Sequence, residues 1–203
     1  MNRHLLAAAL AAVAAAVPAS AAERNYTVTG FDRVRLDGPY RVRMTTGVAP
    51  FARATGSSAA LDSISIEVSA PALRAAAIAG SGTINVDKVT GVDFDGSIGG
   101  SGDLMVESID VKLLKLAIGG SGSVRAGSGR AQAASYDIGG SGDIDAEGVQ
   151  AENASISIAG SGSVAGQATG SADVNVMGSG DVSLTGGAKC NVSKMGSGDV
   201  RCT

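Results

Sequence analysis

Apolar and polar residues alternate along most of this chain, and the alternation keeps step with a recurring tripeptide. Gly-Ser-Gly begins at Gly80, Gly100, Gly120, Gly140, Gly160, Gly178 and Gly196, at intervals of 20, 20, 20, 20, 18 and 18 residues. Two residues before each first glycine stand Ile78, Ile98, Ile118, Ile138, Ile158, Val176 and Lys194; four residues after it stand Ile84, Leu104, Val124, Ile144, Val164, Val182 and Val200. Leu116, Tyr136, Ile156, Val174 and Val192 occupy a third apolar column, and Val86, Val106, Ala126, Ala146, Gly166, Leu184 and Cys202 a fourth. The intervening positions are small or polar, such as Ser97, Asp137, Ser157 and Asn175. A period of two marks strands with one buried face, and a fixed period near 20 marks units that stack on one another.

Successive turns of such a stack run in the same direction, so the strands pair in parallel, and a parallel crossover favours the right hand. The pattern predicts an all-β, right-handed parallel β-helix. Seven turns about 4.8 Å apart would give a rod of about 34 Å. All the inward candidates are even-numbered and both glycines of each motif share that parity, so both are expected to face inward, where a missing side chain lets the wall bend. The step from 20 to 18 residues removes two positions and so preserves the in/out phase. Upstream, Val34, Leu36, Tyr40, Val42, Met44 and the segment from Ile64 to Val68 continue the alternation without the motif. Residues 22–75 are therefore expected to form first turns or a cap, and residues 76–203 the Gly-Ser-Gly β-helix. Helical character is suggested only in the first residues and in the alanine-rich Pro71 to Ala77 stretch.

The first 21 residues carry Arg3, an apolar run from Leu5 to Val17 and an Ala-Ser-Ala end at residues 19–21. That is the layout of a secretory signal peptide cleaved after Ala21. The chain is expected to be exported to the periplasm, the outer cell surface or the medium, with no transmembrane segment in the mature part. Cleavage removes His4, the one histidine. Without histidine the mature chain has no Ser-His-Asp triad, no Cys-His dyad and no histidine-based metal centre. Cys190 and Cys202 belong to no C-x-x-C pair, and in an oxidising compartment they are candidates for one disulfide or two free thiols.

Charge divides unevenly: residues 23–75 carry a net +2, and residues 76–203 a net −6. With 3% aromatic residues and a mostly acidic body, the chain lacks the basic, aromatic-lined surface that nucleic acid requires. The glycine motifs lack the G-K-[ST] ending of a phosphate loop, and their aspartates fall one position early for calcium-binding nonapeptide repeats. No cofactor is expected.

Three groups of residues remain as candidates for function. Three residues after each first glycine stand Thr83, Asp103, Ser123, Asp143, Ser163, Asp181 and Asp199, a column whose alternation of Asp with Ser or Thr keeps carboxylates on neighbouring turns apart. Asp181 and Asp199 break that alternation and form a weak candidate cation site. Carboxylate pairs such as Asp143 with Asp145, Asp103 with Glu107, or Asp93 with Asp95 could serve a polysaccharide-cleaving enzyme, but short turns leave little room for a cleft. The serines of the motif, Ser81, Ser101, Ser121, Ser141, Ser161, Ser179 and Ser197, form a repetitive hydroxyl surface suited to weak multivalent contacts with a glycan or an envelope protein.

The segments Gly30-Phe31-Asp32-Arg33-Val34, Gly38-Pro39-Tyr40-Arg41-Val42 and Thr45-Thr46-Gly47, followed by repeated Gly-Ser-Gly-Asp-Ile/Val, resemble the putative auto-transporter adhesin family with the head GIN domain. The resemblance runs from about Tyr26 to Val200. It implies an exported bacterial β-helical protein of the cell envelope, adhesin-like and non-enzymatic, and supplies no catalytic or binding residues. Nothing in the chain looks like a translocating membrane barrel. A polysaccharide-acting enzyme and a periplasmic module that meets its partner through an edge strand are the alternatives.

Overall fold

The computed structural model describes residues 22–56 and 65–203. The expected signal peptide lies outside the described residues. The described part is a stack of strands forming a parallel β-solenoid. Its regular body consists of β7 (Thr83–Gly100), β8 (Asp103–Gly120), β9 (Ser123–Gly140), β10 (Asp143–Gly160) and β11 (Ser163–Gly178). β7 and β8 pair in parallel from Thr83–Asp103 to Gly100–Gly120 with a constant offset of 20 residues, and β8 and β9 do the same. The Ile and Val columns before and after the glycines are buried in every one of these turns. Each such side chain contributes about 2 kcal/mol by leaving water, and the turns above and below supply the cover.

One feature of the core breaks the single parity expected from the sequence. Val89, Ile109 and Val149, with Val111, Ala131 and Ala151, are odd-numbered and buried. Each 18-residue strand is bent twice, and at each bend successive residues both point outward. The first bend shifts the inward set from even to odd, and the second, before Phe94 or Leu114, shifts it back. With the Gly-Ser-Gly bend, each turn therefore has three faces.

The shorter turns follow from the same rule. Between β10 and β11, Ala146 pairs with Gly166, Gln150 with Gln167, and Asn153 with Ser171. Three residues are lost at the first bend and one is gained at the second, each an odd number. Both parity shifts disappear together, and Val164, Ala168, Ala172 and Val174 are all inward on even positions.

The two glycines of each motif have different jobs, and only the second faces inward. A Cβ on Gly102 would stand 2.5 Å from the carbonyl oxygen of Gly82 and 2.7 Å from Cγ2 of Ile78. The first glycine has positive φ in each of the seven copies, and from Gly100 to Gly196 a Cβ there would run into the carbonyl of the first glycine one turn below. That carbonyl is already in use. The Ser101 amide donates to Gly80 O at 2.9 Å, and the same 2.9 Å bond recurs from Ser121 to Gly100, Ser141 to Gly120, Ser161 to Gly140 and Ser179 to Gly160. The bend is glycine-rich because backbone stacks on backbone there, leaving no room for a side chain.

An eighth bend lacks the tripeptide altogether. β2 (Arg33–Asp37) pairs with β6 (Ala75–Gly80), and β3 (Arg41–Thr46) with β7, so Leu36 lies under Ile78 and Val42 under Ile84. Gly38-Pro39-Tyr40 thus occupies the place of Gly-Ser-Gly, and Pro39, which has no amide hydrogen, stands where the serines donate to the turn below. β3 also pairs with β5 (Ser65–Ala70), β4 (Phe51–Gly56) lies antiparallel on β5, and β1 (Ala22–Tyr26) antiparallel on β4. Beyond β5 the pairing reverses and closes that face against further parallel growth, while β2 pairs with β6 alone among the described strands. The alanine-rich Pro71 to Ala77 stretch is not helical: Ala75 onward is strand, held by Val34, Leu36 and the core.

At the opposite end, β12 (Asp181–Thr185), β13 (Lys189–Gly196) and β14 (Val200–Cys202) complete the last turns. Val192 and Lys194, which the columns place inward, are exposed because no turn covers them. Lys194 Nζ donates to Gly198 O at 2.7 Å. In the body of the stack the equivalent carbonyl, such as Gly82 O, accepts from the next turn, here the Asp103 amide at 3.0 Å. Lys194 thus takes the bond that a further turn would make and puts a charge where the stack would otherwise continue. Cys190 and Cys202 are joined by a disulfide 12 residues apart with a Cα–Cα distance of 6.6 Å, tying β13 to β14. Closing a loop of that size contributes about 3 kcal/mol.

Two outcomes are expected. Gly140→Ala should lower the unfolding free energy in urea by about 2–4 kcal/mol, whereas Ser141→Ala, with its side chain in solvent, should change it by less than about 0.5 kcal/mol; equal effects would remove close stacking as the reason for the glycine. Lys194→Ile should make the protein self-associate with rising concentration in sedimentation analysis, and a variant that stays at the parent's sedimentation coefficient would show that the lysine does not guard the end.

Candidate functional site

The outer surface of the solenoid presents polar columns, and these differ in whether their groups are already partnered. On the face that follows the glycine bend, the alternation of Asp with Ser is a hydrogen-bonded ladder. Ser123 Oγ donates to Asp103 Oδ1 at 2.6 Å, and the Ser163 hydroxyl and amide both donate to Asp143 Oδ1. The next outward column holds the Arg125–Asp145 pair at 3.2 Å. On the face before the glycine bend, Ser135 donates to Asp137, Ser171 to Asn153 and Asn191 to Asp173. In most of these pairs, a residue on one turn satisfies the residue directly above or below it.

Four of the carboxylates singled out from the sequence are therefore engaged separately. Asp143 and Asp145 have different partners, Asp103 is held by Ser123, and Asp93 lies 3.9 Å from Arg74. Glu107 lines a different groove, of about 300 Å³, with Arg43, Met105 and Asp87. Asp181 and Asp199 do stack on neighbouring turns. The Asp199 amide donates to Asp181 Oδ1 at 2.8 Å and Arg201 stands 3.9 Å from Asp199, so each carboxylate has a protein partner. Among the described residues no three His, Cys, Asp or Glu side chains gather as a metal ion would need.

The motif serines stand at the apex of the bend. All seven, from Ser81 to Ser197, are exposed, and among the described residues none of their hydroxyls has a hydrogen-bond partner. They form a ridge one residue wide rather than a flat face. Beside it, Gly99, Gly119, Gly139 and Ala159 leave the wall almost bare of side chains.

A concave region lies on the short face between the two other bends, and the sequence reading did not single it out. It is a groove of about 560 Å³ lined by Asp110, Lys112, Arg130, Gln132, Gln150 and Glu152, with Val111 and Ala131 in its floor. Around the second bend, a more apolar groove of about 440 Å³ lies over Phe94, Leu113, Leu114 and Ala133, where Leu113 is 55% exposed. The signal for both was hidden by the parity shift: without it, the odd residues Val111 and Ala131 do not read as floor, nor residues 110, 112, 130 and 132 as rims.

A family profile, described as putative auto-transporter adhesin, head GIN domain, matches residues 53–188. The chain belongs to this family. Three solved structures share the fold of this adhesin-family protein. A putative adhesin from Bacteroides fragilis superposes with a TM-score of 0.81 at 21% identity, covering 91% of this chain and 97% of that one. A putative adhesin from Parabacteroides distasonis gives 0.72 at 18% identity over 92% and 98% of the two chains. A protein of the same organism described as a putative lipid binding protein gives 0.71 at 21% identity, again over 92% and 98%. Among curated proteins no match is found. No helix among the described residues is long and apolar enough to cross a membrane.

Because both carboxylates of the Asp181–Asp199 step are already partnered, millimolar calcium is expected to leave the melting temperature unchanged. A rise of several degrees would show that the two aspartates gather a cation after all.

Proposed function

We propose that this adhesin-family protein acts by binding and not by catalysis, as an exported component of the cell envelope that holds a glycan or another protein through the outer face of its solenoid. The observation that carries this reading is the distribution of unpartnered polar groups. The motif hydroxyls repeat turn after turn and the polar side chains of the short-face groove stand in two columns of unlike groups, whereas Asp93, Asp103, Asp143 and Asp145, four of the acids that could do chemistry, are each tied to a separate partner. A repeating surface meets a repeating ligand at several equivalent points, and several weak contacts add to a useful retention. A catalytic site needs the opposite arrangement, in which unlike groups converge on one atom.

The expected export of the chain places this surface outside the cytoplasm. The apolar groove over Phe94 and Leu113 is where an acyl chain would find matching chemistry, as in a lipid-binding role. Its larger residues Phe94 and Leu114 are committed to the core, which favours the polar surface as the binding face.

The purified exported chain should be retained on intact cells or on insoluble envelope and plant polysaccharides without releasing soluble sugar. Sugar release that disappears on substitution of Asp143 or Asp103 would replace the binding reading with an enzyme. Flotation with phospholipid vesicles in place of retention would move the function to the apolar groove.

A further inference from the structure

We infer that the groove on the short face is a binding trough for a linear, uncharged, hydroxyl-rich glycan, lying across the turns and along the axis of the solenoid. The inference rests on the binding reading above and assigns it to a place and a ligand class.

Two columns of side chains form the rims. Asp110, Arg130 and Gln150 are register neighbours on three successive turns, and Lys112, Gln132 and Glu152 stand two residues further along the same strands. All six are exposed. Among the described residues none of the six makes a hydrogen bond or ion pair with another side chain or with the backbone, in contrast to the ladders of the two other faces. Their donors and acceptors stay turned to solvent over a concave floor, so an incoming ligand has no internal bond to break.

The dimensions suit a sugar chain. Successive turns repeat about every 4.8 Å, and the two rims are about 7 Å apart, two residues of extended strand. The first spacing is close to the advance of an extended glycan per sugar, and the second is close to the width of one pyranose ring. Each sugar would therefore meet a fresh pair of rim side chains. The chemistry is that of hydroxyl recognition: guanidinium and amide groups present paired donors, and carboxylates accept from neighbouring hydroxyls.

Charge decides between kinds of glycan. Asp110 and Glu152 balance Lys112 and Arg130, so the trough is neutral within a body whose residues 76–203 carry a net −6. A polyanion would be repelled by the surroundings without compensation in the trough. A protein partner is disfavoured because the rims offer no aromatic or large apolar anchor, which protein interfaces depend on for most of their affinity. The convex serine ridge offers one hydroxyl per turn and encloses nothing, so the trough, with two rim side chains per turn, is the stronger candidate.

Affinity electrophoresis in native gels containing soluble neutral polysaccharides (glucomannan, xyloglucan, mixed-linkage glucan) tests this. At least one of the three should retard the protein, and alginate or polygalacturonate should not. The triple variant Arg130→Ala, Gln132→Ala, Gln150→Ala should weaken the retardation by about tenfold or more, and Ser101→Ala, Ser121→Ala, Ser141→Ala by less than about twofold, with both variants keeping the parent's unfolding midpoint. Loss in the serine variant alone, retardation only by polyanions, or no retardation by any neutral polysaccharide overturns the trough. If the protein is then still retained on envelope fractions, the binding reading survives with a different site or ligand; if that retention is also absent, both fall.

Discussion

From Ser101 to Ser179, each bend of the stack rests on the bond from its serine amide to the first-glycine carbonyl of the bend beneath it. For that bond to form at 2.9 Å the two backbones must stack with nothing between them. From the second motif to the sixth, the first glycine sits where a Cβ would meet the carbonyl below, and the second where it would meet both backbone and an isoleucine methyl. Sterics at one bend thus fix the residue types. The repeat of that bend then fixes the parallel register of the strands, and the register stacks Ile on Ile through the core. The serine is there for its amide as much as for its hydroxyl, which is why proline can replace it at the lowest bend, where that donor is not needed.

A stack held by nearest-neighbour bonds has its weak points at the ends. At the N-terminal end, β4 and β1 turn the pairing antiparallel beyond β5, and the other outermost strand, β2, carries Arg33 and Arg35. At the C-terminal end the disulfide and Lys194 do the work locally, one by limiting how far β13 and β14 can separate, the other by occupying a free carbonyl and placing a charge over the open core. These are different answers to one requirement, that an edge of unpaired backbone must not recruit another chain.

The same repetition shapes the outside. Because residue i lies over residue i−20, a polar side chain meets a neighbour chosen by the period, and Asp over Ser or Arg over Asp becomes a self-contained pair. At Asp110, Arg130 and Gln150 no such pair is formed, and hydrogen-bonding capacity is left facing solvent. Unpaired capacity in a concave place is what a binding surface consists of, and its ladder form favours an extended ligand over a compact one.

Much of this was legible in the sequence. The 20-residue period, the Ile and Val columns and the Gly-Ser-Gly motif together determine a parallel stack, because only stacked strands bury those columns at once. The sequence alone suggested one parity and one long inner face, and there it fell short. Val89, Ile109 and Val149 look outward on an even-numbered pattern, and only the two bends in each turn bring them inside. A bend with two consecutive outward residues leaves no trace in hydrophobic alternation except a phase shift, and two such shifts cancel before the next glycine. The eighth bend was hidden for a related reason: Gly38-Pro39-Tyr40 shares geometry with the motif but not its residues, since the lowest turn makes fewer bonds and so constrains its sequence less. The strand pattern and the stacking were settled by local chemistry, and the three faces, the trough and the capped ends by where the backbone bends, which depends on contacts between turns rather than on neighbours along the chain.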